Sequence, residues 1–117
     1  MVKPARTHIT RSEADEFDAI TPLVVQMHKD FQELTKKKQD GAVSPSRIVM
    51  VNRLLERAKQ TLARESSSPL LDLLDADLVP QNADAMLVIG QYVAALEGAR
   101  KRYQEDEFGT MSWKLKG

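Results

Sequence analysis

Seventeen basic and seventeen acidic side chains, two histidines and no cysteine are the material for chemistry in this 117-residue chain. His8 lies near the amino terminus, and His28 is followed three and four positions on by Phe31 and Gln32. A helical metal pair needs a second ligand one turn away, so neither histidine forms one. The chain holds no H-E-x-x-H, G-x-S-x-G, E-x-x-H or glycine-rich phosphate loop, spacings that bring nucleophile, base or metal ligands together. Its acids gather at expected helix ends and outer faces, not as an inward pair for acid–base work. Without cysteine there is no thiolate nucleophile, disulfide or Cys-based zinc site. No catalytic, metal-binding or cofactor-binding residue is expected, and the chain reads as a non-enzyme.

The basic groups suggest a second chemistry. Arg53, Arg57 and Arg64 fall on one outer side of a predicted helix, with Arg100 and Lys101 in a later cluster. Such a row can contact phosphates. The zero net charge removes a chain-wide field for nucleic acid or anionic membrane. Charge is nonetheless uneven: residues 41–68 carry five Lys/Arg against two acids, and residues 69–99 carry five acids and no Lys or Arg. Complementarity between neighbouring helices explains that split without any nucleic acid.

The elements that must carry these groups read as helices. Residues 1–9 form an arm, 10–107 a helical bundle and 108–117 an extended tail. Thr10 and Glu13 have capping-box spacing, and Phe17, Ile20, Val24, Met27, Phe31 and Leu34 recur in steps of three and four. Pro22 sits on the polar side of that helix, so the helix bends or briefly breaks there. Ser44-Pro45 starts a second helix to about Glu65, with Ile48, Val51, Leu55, Ala58 and Leu62 as its stripe, widened by Leu54 and Val49. Ser68-Pro69 starts a short third helix buried through Leu70, Leu71, Leu73 and Leu74, and Asn82 caps a long fourth helix. After Glu107, Met111-x-Trp113-x-Leu115 alternates with period two, the mark of an extended segment. The fold expected is all-α: three long helices, one short helix and an extended carboxyl-terminal tail.

The fourth helix is apolar around most of its first four turns, which predicts the central helix of the bundle. At 100° per residue, Ala85, Ile89, Tyr92, Leu96 and Ala99 share one side, and Leu87, Gly90, Ala94 and Gly98 share the other. Glycine is unfavourable inside a helix by ~1 kcal/mol relative to alanine, so this second ridge calls for close packing. It packs either within the chain, against a bulky neighbour such as Phe31 or Trp113, or between subunits of a homodimer. Trp113 in the tail either folds back or docks on a partner.

No apolar run approaches the ~18 residues of a membrane span, and no hydrophobic core follows the basic amino terminus, so a soluble cytoplasmic chain is expected. The function predicted is protein–protein association by a homodimeric adaptor, regulator or subunit of a larger bacterial system, through Leu87, Gly90, Ala94, Gly98 and Trp113. The alternative is a nucleic-acid-binding regulator using the arginine row.

Overall fold

The computed structural model describes residues 8–107 and 109–116. Residues 1–7 of the expected arm, and Phe108 of the expected break after the last helix, lie outside them. The described chain is mostly helical: α1 (Arg11–Lys38), α2 (Pro45–Thr61) and α3 (Asn82–Tyr103), followed by strands β1 (Gln104–Glu107) and β2 (Thr110–Trp113).

Local chemistry sets the helix starts. Thr10 Oγ1 accepts the Glu13 amide at 3.1 Å while the Glu13 carboxylate accepts the Thr10 amide at 3.0 Å, a reciprocal cap for two otherwise unpaired donors. Ser44 Oγ accepts from the Arg47 amide, and Pro45 occupies the first turn where no donor is needed. α1 continues unbroken through Pro22, which is exposed on its outer side. Beside it Thr21 Oγ1 is buried without a hydrogen-bond partner among the described residues.

The all-α expectation needs correcting in two places. The short third helix is instead two single 3₁₀ turns, Ser68–Leu70 and Ala76–Leu78, joined by extended chain. The six residues between Pro69 and the next turn at Ala76 are too few to nucleate a helix, and the backbone finds partners elsewhere. Asn52 grips Leu74 from both sides, donating to its carbonyl at 2.8 Å and accepting its amide at 2.9 Å. Lys59 Nζ donates to the Leu71 carbonyl at 2.9 Å, and the Tyr92 hydroxyl donates to that of Asp72 at 2.8 Å. Leu71 and Leu74 are buried, whereas Leu70 and Leu73 point outward. The second correction is a small antiparallel sheet: β1 pairs with β2 in the register Gln104↔Trp113 to Glu107↔Thr110. Gly109 turns the chain at φ 83°, a left-handed conformation that glycine enters freely.

The tail returns to its own chain. Ile9, fully buried, donates its amide to the Lys114 carbonyl at 2.9 Å and accepts from the Lys116 amide at 2.8 Å. Trp113 lies against Phe17 with ring centroids 5.5 Å apart and donates Nε1 to the Asp18 carboxylate at 3.1 Å.

α1, not α3, is the central helix. It packs along both α2 and α3, while α2 and α3 touch sparingly because the crossover 68–80 lies between them. Phe17, Ile20, Val24 and Phe31 of α1 form one core with Ile48, Val51, Leu55, Ala58 and Leu62 of α2 and Ala85, Ile89, Tyr92, Leu96 and Ala99 of α3. Asn82 locks the far end: its amide donates to the Gly41 carbonyl and its Nδ2 to the Lys38 carbonyl. A Cβ on Gly41 would sit 2.9 Å from that Nδ2, so a larger residue would have to push the Asn82 amide away from its bond to Lys38. Gln81, and not Asn82, is the cap of α3, its amide bonded to the Asp84 carboxylate at 2.8 Å.

Candidate interaction surfaces

The arrangement leaves one side of the α1/α2 pair open. Between these helices runs a groove with two adjacent lobes, an upper one of about 570 Å³ and a lower one of about 520 Å³, that share Met50 and Leu54. Ile20, Leu23 and Met27 line its α1 wall and Met50 and Leu54 its α2 wall. Leu23 is 57% and Met50 69% exposed. Exposed apolar side chains facing each other across a concave, charge-rimmed surface are the form that helix-in-groove sites take.

Charge on the rim is divided by helix. The α1 edge carries Glu16, Asp30 and Glu33, with Lys37 at its end; the α2 edge carries Arg47, Arg53 and Arg57, with Glu56 among them. Arg57 reaches across to Glu16 in a two-pronged bond, Nη2 to Oε1 at 2.8 Å and Nε to Oε2 at 3.2 Å. That bond, and then the carboxylate charge, raise the affinity of the guanidinium for its proton. Both ends are solvent-exposed, so the pair adds little to stability. It closes one end of the groove.

The residues suspected of phosphate contact are thus divided. Arg53, Arg57 and Arg64 line the α1/α2 side, whereas Arg100 and Lys101 belong to the last turn of α3 and line none of these hollows. Their neighbour Arg102 pairs with buried Glu65, which also accepts the Tyr103 hydroxyl at 2.7 Å.

The small-residue ridge of α3 divides too. A Cβ on Gly90 would lie 3.1 Å from His28 Nε2, so this glycine makes room for the imidazole of its own chain. Gly98 has open space where a Cβ would be, and Ala94 and Leu87 are exposed, Leu87 at 65%. The bulky neighbour is therefore His28, not Phe31 or Trp113, and the tail docks on the start of α1 and not along this ridge. Gly98→Ala is expected to stabilise the chain by about 1 kcal/mol through helix propensity. That is a rise of about 4 °C in Tm by thermal melting for a chain of this size.

Sequence reasoning passed over Leu23, Met50, Asn52 and Lys59. Leu23 and Met50 flank their helices' stripes rather than sitting in them. Asn52 carried one readable signal, an amide inside the apolar run Val49-Met50-Val51 and Leu54-Leu55. No group of three metal-ligating side chains occurs among the described residues, and no helix there is long and apolar enough to cross a membrane. Comparison with protein-family models, curated proteins and solved structures finds no match to this chain.

Proposed function

We propose that this chain is a non-enzymatic protein-association module, a homodimeric adaptor, regulator or subunit whose α1/α2 groove seats an apolar-faced helix. The observation that carries this reading is the placement of Leu23 and Met50 on opposite walls of one continuous hollow. A helix laid there would bury both with Met27 and Leu54, the helix-in-groove mode of recognition. The ridge of Leu87, Ala94 and Gly98, with Gly90 beneath it, offers a second, flatter apolar contact on α3.

Phosphate contact by the arginine row has weaker support. Arg57 is already engaged by Glu16, and Glu56 interrupts the row. The test is sedimentation of the full chain at tens of micromolar together with capture of partners from native lysate. Each is repeated with Leu23→Glu/Met50→Glu, whose exposed sites leave the core intact. Self-association, or capture of a defined protein, that the double variant loses supports the groove. If neither occurs, or if both persist unchanged in a variant with wild-type circular dichroism and Tm, the reading falls.

A further inference from the structure

We infer that the occupant of the α1/α2 groove is a second copy of this chain, related by a twofold axis running along the groove. The inference rests on the association reading above and adds the partner and its orientation.

The argument is charge. Across the groove the α1 edge is net acidic and the α2 edge net basic, with Lys37 and Glu56 as the single exceptions on each side. Arg47 and Arg53 make no ion pair among the described residues. Among the described residues Glu33 pairs only with Lys36 one turn on, both ends well exposed, so that carboxylate can be recruited. Two copies facing each other have two simple twofold arrangements. An axis across the groove lays α1 on α1 and α2 on α2, so like edges meet. An axis along the groove exchanges the edges, and α1 of each copy covers α2 of the other.

Only the second arrangement is self-complementary. It keeps each residue at its own height along the groove. Asp30 and Glu33 share the lower lobe with Arg47, and so would face Arg47 of the other copy. Glu16 shares the upper lobe with Arg53 and would likewise be presented to it. Leu23 and Met50 would meet in the middle. From Glu16 to Lys37 α1 runs about 32 Å and two helices are about 20 Å wide, a footprint of roughly 600 Å² before side-chain relief, at the small end of the ~600–1,000 Å² per partner of standard interfaces.

The test is a charge swap on the full chain. Variant one is Arg47→Glu/Arg53→Glu, and variant two is Asp30→Arg/Glu33→Arg; all four sites are exposed. Sedimentation equilibrium at low salt is expected to show wild-type dimers and a self-affinity lower by about tenfold or more in each variant, since like charges across an interface repel. An equimolar mixture of the two variants recovers most of the dimer, because the lower-lobe edges are again opposite in sign; only Arg53→Glu facing an unchanged Glu16 stays like-charged. Rising salt weakens the wild-type dimer and strengthens each variant's own. The inference is overturned if both variants self-associate like the wild type, or if the wild type is monomeric. The association reading fails separately. If Leu23→Glu/Met50→Glu abolishes dimers that the charge variants retain, the groove stands and this twofold arrangement falls. If the wild type is monomeric yet captures another protein through the groove, the second copy alone is excluded.

Discussion

Replacing Arg102 with methionine and Tyr103 with phenylalanine together is expected to lower stability by about 3–5 kcal/mol, the range for stripping the partners from a buried charge. Glu65 follows the end of α2 and is only 6% exposed, yet it is a carboxylate. It is tolerated because Arg102 Nη1 pairs with one oxygen and the Tyr103 hydroxyl donates to the other at 2.7 Å. The Arg102 guanidinium also lies 5.7 Å from the Tyr103 ring centroid, so the two donors hold each other in place. Tyr103→Phe alone removes one hydrogen bond to a charged group, worth about 1.5–3 kcal/mol. The double variant leaves the carboxylate with neither. Adding Glu65→Met to that background is expected to recover most of the loss, since an apolar side chain of similar length carries no desolvation penalty. Urea midpoints at unchanged m-value for the single, double and triple variants measure this. A triple variant no more stable than the double would show that the cost lay in lost packing and not in the stranded charge.

That cluster ties the end of α2 to the end of α3, and its legibility in the sequence was partial. Where one turn of chain decides the outcome, the sequence was sufficient: Thr10 with Glu13 and Ser44 with Pro45 begin α1 and α2 where their caps require. The apolar stripes of α1 and α2 name most of their buried faces, and the period-two run Met111 to Leu115 reads correctly as extended. Where distant chain decides, the reading failed for identifiable reasons. Gln104-Glu105-Asp106-Glu107 has little intrinsic preference for a strand, and it becomes one only because β2 is led back alongside it by Gly109. The crossover carries enough leucine for a helix, but its carbonyls are claimed by Asn52, Lys59 and Tyr92 from two other elements. α3 reads as buried all round because alanine and glycine count as apolar, yet Ala94 and Gly98 can be left in water at little cost. Val49 extends the α2 stripe on paper but is 60% exposed, because the core ends at Ile48 and Val51. Nothing in the order of residues shows that α3 and the crossover cover one side of the α1/α2 pair and leave the other open. The groove is a consequence of packing alone.

Tyr92→Phe is expected to be less stable than the wild type at neutral pH and more stable at strongly alkaline pH, with the two curves crossing between about pH 10 and 12. At neutral pH the variant loses the 2.8 Å bond to the Asp72 carbonyl, a typical cost of about 0.5–1.5 kcal/mol. The alkaline behaviour follows from the phenol's surroundings. Tyr92 is fully buried, and burial first, then the charges of Asp72 and Glu56, push its pKa up from 10.0 to about 12. A folded pKa above the unfolded one means that folding favours the protonated phenol. The stabilisation is present in full below the unfolded value and is lost as pH rises through the folded one. A displacement of that size corresponds to roughly 2–3 kcal/mol at 1.36 kcal/mol per unit, larger than the hydrogen bond the variant lacks, so the order of stabilities must invert. Every other ionisable group is common to the two proteins and cancels in the difference. Urea unfolding of the pair at a series of pH values from 8 to 12, read by circular dichroism, gives that difference directly. The same Tyr92 hydroxyl anchors the crossover to α3, so loss of its proton is also expected to release that segment first. Amide exchange at Leu71 and Leu74 should then accelerate beyond the base-catalysed trend near pH 11 in the wild type, and follow that trend without a break in Tyr92→Phe. Parallel stability curves with no crossing would mean that the phenol ionises in the folded chain as readily as in the unfolded one, and that burial and the two carboxylates exert no hold on it.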